Sequence, residues 1–185
     1  MSSATAEKLL TAEEFLLLPD DGVPKELVRG RVITLNVPTP RHGQICGRID
    51  RLVGNFADEH KLGHVIPNDS GVVVEDDPDT VRGADVAFYS FQRVPPGPFP
   101  RGYLEVVPEL VFEVRSPTDR WPRIVRKAGE YLEAGVSVVC VLDEQTQSAR
   151  LYTPDGLVRE LGAEETLTFP DLLPGFEMPV ERFFA

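Results

Sequence analysis

At 185 residues and 20.5 kDa, the chain is long enough to bury roughly 70% of its unfolded surface in one domain, residues 1–185, without help from disulfides or a structural metal. Its net charge of −11 excludes a general nucleic-acid coat protein, which needs clustered Lys and Arg along its surface. There is no basic-then-apolar leader, and the longest apolar run, around Val136 to Leu142, is far short of the roughly 20 residues of a membrane span, so a soluble cytoplasmic protein with no membrane partner is expected.

Residues 1–10 are small and polar and read as flexible up to about Ala6. Thr11-Ala-Glu-Glu14 is a capping box flanked by a hydrophobic staple of Leu10 and Phe15, which predicts a short helix from Ala12 to Leu18. Pro19-Asp-Asp-Gly22 stops it, and Glu26 opens a segment that reads as a hairpin turning near Gly30. After Pro38 and Pro40, Ile45, Ile49, Leu52, Val53 and Phe56 recur on one face of a helix from His42 to His60, ended by Gly63. His42 stands at the start of that helix beside Arg41. The histidines and the two cysteines, Cys46 and Cys140, match no metal spacing, and Cys140 reads as a small hydrophobe.

Val72 to Glu75 reads as a strand leading into Asp76-Asp-Pro-Asp79. That acidic run lacks the alternating spacing of a calcium loop and is taken as a solvated turn. Gly83 to Tyr89 is a second strand with Asp85 near its entrance, and the Pro- and Gly-rich residues 93–102 form a loop. Pro108 to Asp143 then has the pattern of a strand, crossover helix and parallel strand, with the helix from Pro122 to Ala134 and Gly135 as its cap. The period of two puts Val111, Glu113 and Arg115 on one face of the first strand and Leu110, Phe112 and Val114 on the other. Lys127 falls within the inward stripe of the helix with Ile124, Ala128, Tyr131 and Leu132, either turned inward for a task or as a snorkelling stem with its ammonium in water. A hairpin through Pro154-Asp-Gly156, a short strand from Leu167 to Phe169 and an apolar tail follow. The tail is expected to pack on the body or on a second subunit.

Glu113 lies among Leu110, Val111, Phe112 and Val114, and an ionised carboxylate buried there costs several kcal/mol unless a cation or strong donors compensate. It is therefore either a metal or catalytic group or an edge residue facing water. If the strands carrying Asp85 and Glu113 are neighbours, two carboxylates and the ammonium of Lys127 converge at one end of a sheet. Hard oxygen ligands of that kind hold Mg²⁺ or Mn²⁺, which suits metal-assisted hydrolysis of a phosphodiester.

The segments Thr11-Ala-Glu-Glu-Phe-Leu, Glu26-Leu-Val-Arg-Gly-Arg-Val, Pro40 with His42, Ala84-Asp85-Val-Ala-Phe, Pro108-Glu-Leu-Val-Phe-Glu-Val-Arg-Ser-Pro117, Lys127 with Tyr131 and Gly135-Val136, and Leu173-Pro-Gly-Phe span nearly the whole chain. In these pieces it resembles the bacterial restriction-endonuclease-like family, formerly a domain of unknown function, of the PD-(D/E)XK nuclease superfamily. The resemblance implies an α/β restriction-endonuclease-like fold, a mixed central β-sheet flanked by helices. It implies Asp85 and Glu113 as metal ligands with Glu26 as a further acid, Lys127 as the catalytic lysine supplied from the helix, and Arg115 and His42 at the substrate. Arg115 cannot act as a base but can hold a phosphate oxygen. The chain departs from the family in Ala84, where proline is usual, and in Arg123, where an acidic residue is frequent.

Residues 113–127 carry five basic side chains against two acidic ones, and Trp121 among them either stacks on a base or packs in the core. Arg41, Arg48 and Arg51 are candidates to extend that basic edge. The expected function is thus a divalent-metal-dependent DNA endonuclease, working as a homodimer so that two sites address two strands. The alternatives are a degenerate nuclease fold kept for binding or regulation, and a metal-dependent hydrolase of a small phosphate compound.

Overall fold

A computed structural model describes residues 8–185, so the expected flexibility of the first six residues lies outside the described residues. Leu10 is already anchored, its amide donating to the Gly30 carbonyl at 2.8 Å. Helix α1 covers Ala12–Leu16 and starts with the expected capping box between Thr11 and Glu14. Strands β1 (Lys25–Val28) and β2 (Arg31–Thr34) form the expected hairpin. Its two-residue turn puts Arg29 and Gly30 at φ 48° and 72°, the left-handed geometry that matches the twist of the flanking strands.

Helix α2 (Pro40–His60) buries Ile45, Ile49, Val53 and Ala57, as the apolar stripe requires. Its end is Lys61, in the left-handed conformation, rather than Gly63. Gly63 instead begins β3 (Gly63–Glu75), where an added Cβ would run into the Tyr89 carbonyl oxygen of the neighbouring strand. Strands β3 and β4 (Thr80–Ser90) are both longer than their sequences suggest and pair antiparallel along nearly their whole length. The register slips between Pro67 and Ser70, leaving one extra residue on β3, with Asn68 and Asp69 at positive φ. This bulge stands opposite Asp85.

Strands β5 (Leu110–Arg115) and β6 (Val138–Asp143) are parallel and joined by α3 (Trp121–Glu133), so the expected crossover unit is present. Strands β7 (Ser148–Tyr152) and β8 (Val158–Leu161) form the edge hairpin. The large sheet runs β2-β1-β4-β5-β6-β7-β8, with β3 on β4 and every pairing except β5–β6 antiparallel. One face buries Val86, Phe88, Leu110, Phe112, Val114 and Leu142 against α2 and the tail. The tail forms a small sheet of β9 (Thr166–Phe169) and β10 (Leu173–Pro179), then a 3₁₀ turn at Val180–Phe183, and it packs on the body through Leu167, Phe176 and Phe183. The other face buries Ala87, Val111, Val139 and Val141 against Ile124, Ala128 and Tyr131 of α3. Helices thus flank a mixed, mostly antiparallel sheet. Among the described residues no helix is long and apolar enough to cross a membrane.

Candidate active site

The site forms where β4 and β5 part. Their ladder runs from Phe88↔Leu110 to Val86↔Phe112 and then stops. Beyond it the Asp85 carboxylate takes the place of a ladder partner, accepting from the Val114 amide at 2.5 Å. The bulge in β3 brings Asp69 beside Asp85, close enough for the two carboxyls to share a hydrogen bond. Glu113 projects from β5 toward α3 and is only 6% exposed, which settles its orientation in favour of burial. It accepts from Lys127 Nζ at 2.8 Å and from the Tyr131 hydroxyl at 3.1 Å. Lys127 turns inward rather than snorkelling to water, and also donates to the Gly83 carbonyl at 2.8 Å. Asp69, Asp85, Glu113 and Lys127 line one open cleft of about 180 Å³ together with His42, Ser116, Asp119 and Arg123.

Other expected site residues stand outside that cleft. Glu26 is 2% exposed and fully engaged, accepting from Arg82 Nη1 at 2.7 Å and the Gly83 amide at 3.1 Å, with Lys127 Nζ at 3.2 Å. It faces the back of Lys127. Arg115 is buried too, its Nη1 donating to both oxygens of Asp143 at 3.0 and 2.9 Å and its Nη2 to the Asp119 carbonyl. Trp121 is half-buried and covered by the guanidinium groups of Arg150 and Arg115, at 4.0 and 4.9 Å from the ring centre. Arg41 and Arg48 hold the carbonyls of Phe184 and Ala185. Besides Lys127 and His42, the basic side chain that reaches the cleft is Arg123.

Electrostatically the cluster is short of positive charge. Arg82, Lys127 and His42 face Glu26, Glu130, Asp69, Asp85 and Glu113, three cations against five carboxylates. Burial and the neighbouring Asp85 push the Glu113 carboxyl up to about 8 even beside Lys127. Burial and Asp85 likewise raise Asp69 to about 6. Burial also opposes charge on Asp85 and Glu26, but His42 and Lys127 hold the first below the usual carboxylate range, and Lys127 and Arg82 do the same for the second. Burial alone would lower the His42 pKa; the Asp85 carboxylate 3.4 Å from Nε2, aided by Cys46, lifts it to about 11. Of the charged groups that line the cleft itself, Asp69, Asp85, Glu113 and Asp119 stand against His42, Lys127 and Arg123, so carboxylates outnumber cations there as well.

Three partners escaped the sequence reading. Asp69 lies in Asn68-Asp69-Ser70-Gly71, a run that resembles a turn; the tolerance of Asn and Asp for positive φ is the signal that it is a bulge. Arg82 bridges Glu26 and Glu130, at 2.7 and 2.6 Å, through separations in sequence that no local pattern announces. Cys46, expected to have no metal partner, has its Sγ 3.4 Å from His42 Nδ1. The two residues are four apart on α2, the spacing that stacks side chains on one helical face.

A family model, Uma2, described as a putative restriction endonuclease, matches residues 12–181. The chain belongs to this family. The crystal structure of a protein from Anabaena variabilis, described as a putative nuclease of the DUF820 family, superposes with a TM-score of 0.81 over 95% of this chain and 97% of that one. At 16% identity that likeness is one of fold, and it is the restriction-endonuclease-like fold expected from the sequence. No match was found among curated proteins.

Proposed function

We infer that this member of the Uma2 family is a divalent-metal-dependent endonuclease that hydrolyses DNA phosphodiester bonds, with residues 1–185 acting as one PD-(D/E)XK nuclease-like domain and two copies pairing to address two strands. The observation that carries the reading is the meeting of Asp85, Glu113 and Lys127 in one cleft, with a carboxylate excess that a divalent cation would balance. A bound Mg²⁺ or Mn²⁺ would supply Lewis acidity toward a phosphoryl oxygen and lower the pKa of water. Asp85 and Glu113 would hold the ion with Asp69 beside them. Lys127, charged and held in the cleft, would stabilise negative charge developing on the phosphoryl group. Glu26, with Arg82 behind it, positions Lys127, and Tyr131 fixes the Glu113 carboxylate. Arg123 takes over the phosphate-holding role first expected of Arg115, whose guanidinium is committed to Asp143. His42 contributes charge beside Asp85.

The test is cleavage of plasmid and oligonucleotide DNA with Mg²⁺ or Mn²⁺ by the wild type, Asp85→Asn and Lys127→Ala. Metal-dependent cleavage lost in Asp85→Asn supports the reading, and cleavage that survives Asp85→Asn and Glu113→Gln refutes it. The small cleft and the net charge of −11 favour a second reading, a metal-dependent hydrolase of a small phosphate compound. Affinity for duplex DNA that falls steeply with salt separates the two in favour of the first.

A further inference from the structure

His42, Cys46 and Asp85 present a nitrogen, a sulfur and an oxygen that all lie within 4.8 Å of one another. Hard-cation chemistry at the cleft makes no use of the thiol. From this cluster we propose a second, soft-metal site, in which the Cys46 thiolate, a His42 ring nitrogen and the Asp85 carboxylate bind a thiophilic divalent cation of the Zn²⁺ class.

The donor set is the first argument. Mg²⁺ and Mn²⁺ prefer oxygen ligands, whereas sulfur, imidazole and carboxylate together select Zn²⁺ and its relatives. Distances are the second. With Zn–S of about 2.3 Å and Zn–N of about 2.0 Å, the S···N edge of a tetrahedral site is about 3.5 Å. Cys46 Sγ and His42 Nδ1 are 3.4 Å apart. Asp85 Oδ2 is 3.4 Å from the other ring nitrogen, so the ring or the carboxylate must reorient to bring all three donors onto one ion. Two of the ligands are fixed by α2, four residues apart on one face, and the third by the strand beneath it. Access is open, because His42 and Asp85 both line the cleft. On binding, the ion takes the place of two protons, the thiol proton of Cys46 and the proton on the ligating His42 nitrogen, and both leave to solvent.

Asp85 belongs to both sites. If the carboxylate reading above holds, one ion excludes the other, and a thiophilic cation acts as an inhibitor that competes with Mg²⁺ or Mn²⁺ for the same carboxylate.

Co²⁺ and Zn²⁺ titrations of the wild type, Cys46→Ser, Cys46→Ala and Asp85→Asn, each checked for folding by thermal melting and each also titrated with Mn²⁺, test this. Co²⁺ should bind the wild type with a thiolate-to-cobalt charge-transfer band in the near ultraviolet. Both Cys46 variants should lose that band and bind Zn²⁺ about 100-fold more weakly or worse while keeping the wild-type Mn²⁺ affinity. Asp85→Asn should weaken both metals. A wild type that binds Co²⁺ without the thiolate band, that fails to bind it, or whose Zn²⁺ affinity survives loss of Cys46 overturns the proposal. Thiolate-dependent Zn²⁺ binding without any Mn²⁺ binding would support this site and count against the hard-metal nuclease reading, so the two can fail separately.

Discussion

Replacing Glu113 by glutamine tests the charge imbalance directly. The amide keeps both contacts, its oxygen accepting from Lys127 and its nitrogen donating to the Tyr131 oxygen, while the charge disappears. In the folded protein the carboxyl is raised from its ordinary 4.5 to about 8, principally by burial. Between those two values the folded state holds a proton that the unfolded chain has released, so wild-type stability falls as pH rises through that window. Each unit of displacement corresponds to about 1.4 kcal/mol. The variant lacks the group, and its stability advantage over the wild type should therefore widen by roughly 2–3 kcal/mol from pH 5 to pH 7 without metal. Urea unfolding of both proteins at pH 5, 6 and 7 measures this, and contributions from Asp69 and His42 largely cancel because both proteins carry them. With Glu113 a metal ligand as proposed, adding Mn²⁺ should narrow the gap, because only the wild type would then have the full ligand set to be stabilised by mass action. Parallel stability profiles with a pH-independent gap would refute the reasoning.

Asp69→Asn should lower Mn²⁺ affinity by about tenfold or more while leaving the fold intact, read by calorimetry. Arg115→Ala should cost about 3–5 kcal/mol of stability, because it strands the buried Asp143 carboxylate. Arg123→Ala should leave stability within about 0.5 kcal/mol but weaken DNA binding and reduce its salt slope by about one, measured by fluorescence anisotropy. Tyr131→Phe removes one donor to Glu113 and should cost about 1 kcal/mol by urea unfolding, a change that would go undetected if the hydroxyl did not hold that carboxylate.

What the sequence disclosed follows the range of its signals. The crossover from β5 to β6, the capping box of α1 and the buried stripe of α2 are all written in short-range periodicity, and each appears where expected. The phase of Lys127 with Ile124, Ala128 and Tyr131 is legible for the same reason, but periodicity leaves a snorkelling stem equally open, and the contact with Glu113 decides for the inward turn. Strand β3 runs well beyond the expected Val72 to Glu75; Pro67 and Asn68-Asp69 break the pattern of alternation, and a bulge carries the same residues as a turn. Arg115 misled through its position. It shares a face with Glu113, but the period of two says nothing about Asp143 on the next strand, which captures its guanidinium. The pairing of His42 with Cys46 was visible as a four-residue spacing. What the spacing lacked was Asp85, supplied only by folding.

The same imbalance sets how the cleft should take up a metal. Three cations and five carboxylates cannot all stay charged out of water, and the apo protein answers with protons, one centred near Glu113 and a second near Asp69 at lower pH. On the proposed reading, protons and a divalent cation are alternative occupants of the same charge deficit. At pH 7 Glu113 is largely protonated and Asp69 largely ionised, so a bound Mn²⁺ should displace about one proton, whereas near pH 5 it should displace close to two. Calorimetry in two buffers of different ionisation enthalpy counts those protons. A count near zero at pH 7 would mean that Glu113 is ionised before the metal arrives, and Lys127 and the Tyr131 hydroxyl would then have to stabilise it in the apo site.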